Sequence, residues 1–481
     1  MLLLAQKNQI EPYLRDASQF SGSADRVFLP ENEIEIVELV KEAHHKKIPL
    51  TVSGGRTGLA GAAVPEGGWV LSTEKLTRVL EIKKEKKEAD SWARLEPAVL
   101  LKDLDRALRP HGLFYPPDPT GPRAFLGGTV QTNASGPNSF KYGTTRRYIR
   151  RLRIVLADGE ILDLRRGQSI ADREVILNIP APRGGNLKVP VPHYSFPRIK
   201  HAGGYFAQPA IDAVDLFIGS EGTLGVVTEI ELALLPRPRE VLAFVVFFSK
   251  EEDAWRLSQR ARDSKTVQPR MLEYFDGGSL QFLRPDFPSI PKAANACLFI
   301  EQEVDGDSPL LGGLSPREGT GYVDVWEART ADRQEEFRNF RSALPLAVKD
   351  FLAQHGQVKI GTDTAVPHDR FQELMLFHRK KIEEGGFQSV TFGHIGESHV
   401  HLNILPQSEA EAQRARNLYP ELVRKALALG GTFSAEHGVG KLKRPYLIEL
   451  LGKEAVGEMA AIKRILDPHL ILGQGNIFEI Q

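Results

Sequence analysis

The chain has 481 residues, with 62 Lys+Arg against 62 Asp+Glu, 41% hydrophobic residues and 26% charged ones. That length exceeds one ordinary core and calls for two domains, and a formal charge of zero removes bulk attraction to nucleic acid. The single cysteine, Cys297, excludes an internal disulfide framework and a cysteine-ligated iron–sulfur cluster within the chain, and fits a reducing, cytoplasmic compartment.

The opening MLLLAQKNQIEPYL has a very short apolar stretch with no basic region before it. No apolar run approaches the roughly 20 residues that span a bilayer, so neither a signal peptide nor an anchor is expected. After Pro30, ENEIEIVELVKEAHHKK sets Ile36, Val40 and Ala43, with Val37 beside them, in a helical stripe, and IPLTVSG follows as a short strand. The basic run KKEKK (83–87) reads as a solvated hairpin tip. LLKDLDRALRPHG reads as a helix closed by Gly112. A second basic run, RRYIRRLR (146–153), leads into a strand. It reads as a surface edge, open to an anionic membrane or a redox partner. RIVLADGEILDL gives two strands around an Asp158-Gly159 turn.

DLFIGSEGTLGVVTEIELALLP (215–236) places GSEGTLG between two β-like runs, and LPRPRE (235–240) marks a domain boundary. Beyond it the β-rich runs VLAFVVFF and ACLFIEQEV alternate with the helical stretches EEDAWRLSQRARDS, DRQEEFRNFRSALPLAVKDFLAQHG and HDRFQELMLFHRKKIEEGG, an α+β layer of strands covered by helices. DGDSPLLGGLSPREGTG (305–321) is a loop. From about 430 the chain is glycine-rich, then helical over KEAVGEMAAIKRILDP, and ends in LILGQGNIFEI. Three units are expected, at 1–238, 239–429 and 430–481.

Three loops are dense in small polar residues: SGGRTGLAGAAVP (53–65), PPDPTGPRAFLGGTVQTNASGPNSFKYG (116–143) and GSEGTLG. Gly54, Gly55, Gly58 and Gly61 free the first for close backbone approach to a ligand, and consecutive N–H groups there suit a pyrophosphate. The spacing is neither that of a P-loop nor that of a dinucleotide-binding fingerprint. One such loop is no more than a connecting turn; three in one domain suit an elongated cofactor. In GHIGESHVHLN, His399, His401 and Asn403 alternate with Val400, Leu402 and Ile404. Strand periodicity therefore puts the polar three on one face, with His394 across the Gly396 turn. That face is either a solvated sheet surface or the wall of a site. GGTFSAEHGVGK (430–441) adds Glu436 and His437 among small residues. Two imidazoles and one carboxylate suit a divalent metal with open positions.

Taken in order, SGGRTGLAGAAVP, GGTVQTNASGPNSFKYGTTRRYI, GSEGTLGVVTEIEL, FGHIGESHVHLNIL and SAEHGVGKLK resemble the motifs of FAD-linked oxidases of the vanillyl-alcohol-oxidase (PCMH-type) superfamily. The nearest branch is that of D-lactate dehydrogenase, the glycolate oxidase flavin subunit and D-2-hydroxyglutarate dehydrogenase. The resemblance implies an α+β fold: a two-part FAD domain with an inserted, ferredoxin-like α+β cap and a C-terminal return. It also implies FAD pyrophosphate on Ser53, Gly54, Gly55, Arg56, Thr57, Gly58 and Gly61. Flavin contacts are expected from Pro117, Gly127, Gly128, Thr129, Asn133, Ser135, Gly136 and Tyr142. Glu221, Gly222, Gly225, Val226 and Val227 would flank the adenine-to-ribityl region, and Asn476 would be the polar position of the closing motif. The loop 53–65 has neither His nor Cys, so the FAD is expected to be non-covalent.

The resemblance makes His394, His401 and Glu436 ligands of a divalent metal (zinc, or manganese or iron), and His437 the catalytic base. The family pattern has Asp, Gly and Asn where this chain has Glu397, Ser398 and His399. Substrate identity is therefore open, with Asn403 expected to line the pocket and His399 expected either to stand behind the ligands or to contact the substrate. The carboxylate and hydroxyl of a D-2-hydroxy acid would chelate the metal. His437 would take the hydroxyl proton, and hydride would pass to flavin N5. Arg341, or Arg338 three residues earlier, would hold the substrate carboxylate, with Lys359 a further candidate. The rival readings are a metal-dependent hydrolase without flavin and the flavin subunit of a larger complex. The expected electron acceptor is a quinone, a cytochrome, an electron-transfer flavoprotein, an iron–sulfur subunit or oxygen. A homodimer and peripheral contact with the inner face of a membrane are both compatible with the chain.

Overall fold

The computed structural model describes residues 1–87, 90–119, 123–171, 176–181, 184–265, 267–304 and 321–480. The loop expected at 305–321 lies, but for Gly321, outside them.

The first half builds two sheets. In one, the spatial order is Leu2–Leu4, Arg26–Leu29, Trp69–Ser72, Leu50–Ser53, with the last three strands parallel. The helix Glu33–Lys46 covers it. Asn32 caps this helix by accepting from the Glu35 N–H, and Ile36, Leu39, Val40 and Ala43 are buried one turn apart. The second sheet is antiparallel, ordered Val79–Lys83, Trp92–Leu95, Val226–Ala233, Ile149–Val155, Ile161–Arg165.

That order corrects the reading of the arginine-rich run as a surface edge. The strand Ile149–Val155 is interior, and acids on its neighbours absorb the charge. Arg151 pairs with Asp163 and Glu229, and Arg153 donates to Glu33 at 2.7 Å. Arg146, ahead of the strand, is held by Asp215 and by the Ile218 carbonyl at 2.6 Å. A basic run so neutralised offers little to an anionic membrane, and no helix among the described residues is long and apolar enough to cross one. A second correction concerns the run before GSEGTLG. It is the helix Ala213–Phe217, begun by the Asp212 side chain accepting from the Val214 N–H.

The inserted unit is one antiparallel sheet ordered Tyr322–Ala328, Val241–Phe248, Ala296–Glu303, Pro269–Asp276, Ser389–Gly393, His399–Ile404, Ile360–Gly361, with Thr364–Ala365 also on His399–Ile404. Its two-residue period serves two cores. Leu242, Phe244, Val246 and Phe248 pack with the helices Glu251–Asp263 and Phe371–Gly385. Ala243, Val245 and Phe247 pack with Gly277–Leu283 and Ala331–Gln354. The last helix, Arg444–Leu466, kinks at Gly452, whose φ is 85°. The chain then returns beside Leu50–Ser53, where the Leu50 N–H donates to the Ile471 carbonyl at 2.7 Å and the Gly473 N–H to the Leu50 carbonyl at 3.0 Å.

A buried ion pair fixes this return. Lys463 donates to Asp467, to the Thr223 carbonyl and to the Leu472 carbonyl, and Asp467 accepts from the Ile471 and Leu472 N–H groups. Both side chains are buried. Asp467→Ala leaves the Lys463 ammonium without its counter-ion and is expected to lower unfolding stability by about 3–5 kcal/mol, read by denaturant titration.

Candidate active site

The two halves meet over a cavity of about 390 Å³. On the first-half side the wall is backbone and small side chains. The turn after Leu50–Ser53 contributes Gly54, Gly55, Arg56, Thr57 and Gly58, and the short helix Leu126–Gln131 contributes Gly127, Gly128 and Thr129. Ser135, Gly136, Glu221, Gly222, Gly225 and Val227 complete it. A Cβ on Gly128 would meet no atom within 4 Å, so this wall has open space for a ligand. At Gly55 it would meet the Arg123 carbonyl oxygen at 2.5 Å, so glycine is required there by packing. Thr73, Gln131 and Thr132 also line the cavity, although no motif marked them.

Seven expected cofactor residues stand behind this wall. The Ser53 carbonyl accepts from the Thr73 N–H at 3.0 Å. Gly61 has a φ of 79°, and Pro117 is buried. Asn133, at a φ of 47°, accepts from the Arg146 N–H, and the Tyr142 hydroxyl donates to Glu303 of the inserted sheet. Val226 belongs to the core beneath the first sheet. Asn476 accepts from Lys441 at 2.6 Å and donates to the Ala62 and Glu221 carbonyls. These residues shape the cradle and do not line it.

The opposite wall carries the chemistry. His394 follows the strand Ser389–Gly393, His401 lies on His399–Ile404, and Glu436 and His437 come from the C-terminal segment. Glu436 Oε2 is 3.3 Å from His394 Nε2, and Oε1 is 3.2 Å from His401 Nε2. Each imidazole is held from behind at Nδ1, His394 by Glu273 at 2.6 Å and His401 by the Thr362 carbonyl at 3.1 Å. That arrangement aims both Nε2 atoms at one point and is typical of metal-binding histidines. Burial opposes charge on His394, but Glu273 and Glu436 outweigh it and raise its pKa to about 9. Burial also opposes charge on Glu436, yet Lys200 and His394 hold its carboxyl well below the usual range. The site therefore favours a cation, and the donor set fits a divalent metal.

Lys200 and Asp363 were not legible as site residues. Lys200 is buried, 3.0 Å from Glu397 and 3.1 Å from Glu436. Asp363 accepts from the Glu436 and His437 N–H groups, Ser434, Lys443 and His399. Its Oδ2 lies 3.4 Å from His437 Nδ1. Burial lowers the His437 pKa to about 4 against the pull of Asp363, which keeps the imidazole neutral.

The expected substrate contacts separate. Arg341 and Lys359 line the cavity, and no ion-pair partner is found for either among the described residues. Arg338 is spent on Glu335 at 2.6 Å on the helix surface. Neither His399 nor Asn403 lines the cavity, which corrects the expectation of Asn403 as pocket lining and leaves His399 its place behind the ligands. His399 Nε2 is 3.1 Å from Asp363, and Asn403 donates to the His401 carbonyl and packs on Gly361. His399 and Asn403 are buried and His401 faces the cavity, so this face is not a solvated surface.

Gly128→Leu would send a side chain into the open space of the glycine wall, since its Cβ meets no protein atom within 4 Å. The expected outcome is an unchanged melting temperature for flavin-free protein, with visible flavin absorbance lost from the purified protein.

Known families match both halves. FAD binding domain matches residues 24–165, and FAD linked oxidases, C-terminal domain, matches residues 237–477. Glycolate oxidase subunit GlcD of Bacillus subtilis is 30% identical, over 97% of this chain and 92% of its own. D-lactate dehydrogenase of Archaeoglobus fulgidus is 30% identical over 94% and 90%, and D-2-hydroxyglutarate dehydrogenase of Xanthomonas citri 27% over 98% and 93%. Among solved structures, an alkyldihydroxyacetonephosphate synthase superposes with a TM-score of 0.69 at 18% identity, covering 98% of this chain and 81% of that one, and so shares the fold. The glycine-walled cradle, the inserted cap and the matches along nearly the whole length agree: the chain belongs to the PCMH-type FAD-linked oxidase family and is an FAD-binding oxidoreductase.

Proposed function

We propose that the protein oxidises a D-2-hydroxy acid of the lactate type to the 2-oxo acid, with non-covalent FAD and a divalent metal such as zinc. The observation that carries this reading is the convergence of His394, His401, Glu436 and His437 with Arg341 on the cavity that the glycine wall also lines. The relatives support the substrate class, since their names specify glycolate, D-lactate and D-2-hydroxyglutarate.

FAD, when bound, supplies the hydride acceptor. A divalent cation held by His394, His401 and Glu436 supplies Lewis acidity that lowers the pKa of a hydroxyl. The protein does the rest. Arg341 holds the substrate carboxylate through its planar donor fork, with Lys359 adding positive charge. His437, neutral by burial and oriented through Nδ1 by Asp363, accepts the hydroxyl proton at Nε2. The carboxylate of Asp363 then stabilises the imidazolium that forms. Phe275 and Phe392, on the same wall, limit water near the reacting carbon. With one cysteine, the chain has no cysteine-ligated iron–sulfur relay, so electrons leave to a separate acceptor: a quinone, a cytochrome, an electron-transfer flavoprotein, an iron–sulfur subunit or oxygen.

His437→Ala is expected to slow flavin reduction by about 10²- to 10⁴-fold in stopped-flow, with FAD content unchanged. Reduction at the wild-type rate would remove His437 as the base. Arg341→Met should raise the substrate Kd by about 30-fold or more, equivalent to about 2 kcal/mol, while Arg338→Met leaves it near the wild-type value. Acid precipitation should release all the yellow flavin into the supernatant; colour retained in the pellet would show a covalent link.

A further inference from the structure

One imidazole in the cluster has a nitrogen that the structure leaves unused. His399 is fully buried, and its Nε2 faces Asp363 Oδ1 at 3.1 Å. Asp363 already accepts from the Lys443 ammonium at 2.7 Å, from the Glu436 and His437 N–H groups and from Ser434, the surroundings of an ionised carboxylate. An ionised carboxylate only accepts, so the proton on His399 belongs at Nε2. Nδ1 is then a bare lone pair. It is buried, and no hydrogen-bond partner is found for it among the described residues. A buried acceptor without a donor is costly.

The surroundings supply the reason to leave it bare. His394, His399, His401 and Glu436 each offer a ligand atom, and these atoms all lie within 4.8 Å of one another. The ring of His399 is 4.6 Å from that of His401 and 5.2 Å from that of His394. The same outer-partner logic that turns the Nε2 atoms of His394 and His401 inward operates here in mirror form. With Nε2 taken by Asp363, Nδ1 is the nitrogen of His399 left to serve as a ligand atom.

We infer that His399 is a fourth protein ligand, so that the divalent cation is held by three imidazoles and one carboxylate. This rests on the metal reading above. A six-coordinate ion bound in this way keeps two open positions, the number a chelating 2-hydroxy acid occupies. The additional imidazole favours zinc, cobalt or nickel over manganese and magnesium.

The test uses the full-length flavoprotein, stripped by chelator and reloaded with Zn²⁺, Co²⁺ or Mn²⁺. X-ray absorption of the wild-type zinc form is expected to count three imidazoles, a readout that needs no variant. His399→Asn is expected to lower Zn²⁺ and Co²⁺ affinity by more than the about 10- to 100-fold that outer-shell changes cost, and to affect Mn²⁺ less. A variant that is merely misfolded would lose melting temperature without metal as well. A ligand variant instead loses the rise in melting temperature that added Zn²⁺ gives the wild type. Two imidazoles in the wild type, or equal Zn²⁺ affinity in His399→Asn, would overturn this inference and leave the metal reading standing. Failure of the wild type to bind any of the three ions would overturn both.

Discussion

The active-site wall depends on one buried carboxylate. Asp363 lies on the short link between Ile360–Gly361 and Thr364–Ala365, which both pair with the histidine strand. It accepts from Lys443 at 2.7 Å, the His437 N–H at 2.9 Å, His399 and Ser434 at 3.1 Å and the Glu436 N–H at 3.2 Å. Its own carbonyl accepts from the Ala435 N–H at 2.9 Å. One residue thereby fixes the C-terminal turn that brings Glu436 and His437 to a sheet whose histidines lie far away in sequence. Replacing any of these donors with a group that cannot donate would leave negative charge in a buried place, which is why the segment has one arrangement.

Around that anchor the two halves are fastened by further charge. Lys200 reaches Ser139, Glu397 and Glu436, one from each of the three chain segments. Glu303 of the inserted sheet accepts from Lys141 and the Tyr142 hydroxyl of the first half. Glu221, on the cofactor side, accepts from the Val439 and Gly440 N–H groups at 2.7 Å. Burial raises its pKa to about 7 despite those donors. The glycine cradle and the polar cluster thus share one rigid frame, so a small ligand lying between them contacts both.

Much of this was legible in the sequence, and the limits have physical causes. Local pattern gave the Glu33–Lys46 helix, the hairpin at Asp158-Gly159 and the alternation over His399–Ile404, because each depends on neighbours a few residues away. The motifs brought Gly54–Gly58, Gly127–Thr129, His394, His401, Glu436 and His437 to one cavity. Pattern could not tell His399 from His401. Both share a strand face, and what separates them, Asp363 at His399 Nε2 and the Thr362 carbonyl at His401 Nδ1, comes from another segment. Nor could it find Lys200 or Glu273, whose roles depend on partners more than a hundred residues away. The arginine run misled for the same reason: its acids lie on neighbouring strands, where composition cannot show them.

In the proposed reaction, flavin, metal and base act on one D-2-hydroxy acid in this cavity. Its most direct test is anaerobic flavin bleaching by paired D- and L-2-hydroxy acids, before and after chelation and on adding metal back. Bleaching by a D-acid, its loss on chelation and its recovery with the metal are expected. Bleaching by an L-acid alone, or undiminished bleaching by the D-acid after the metal is removed, would contradict it.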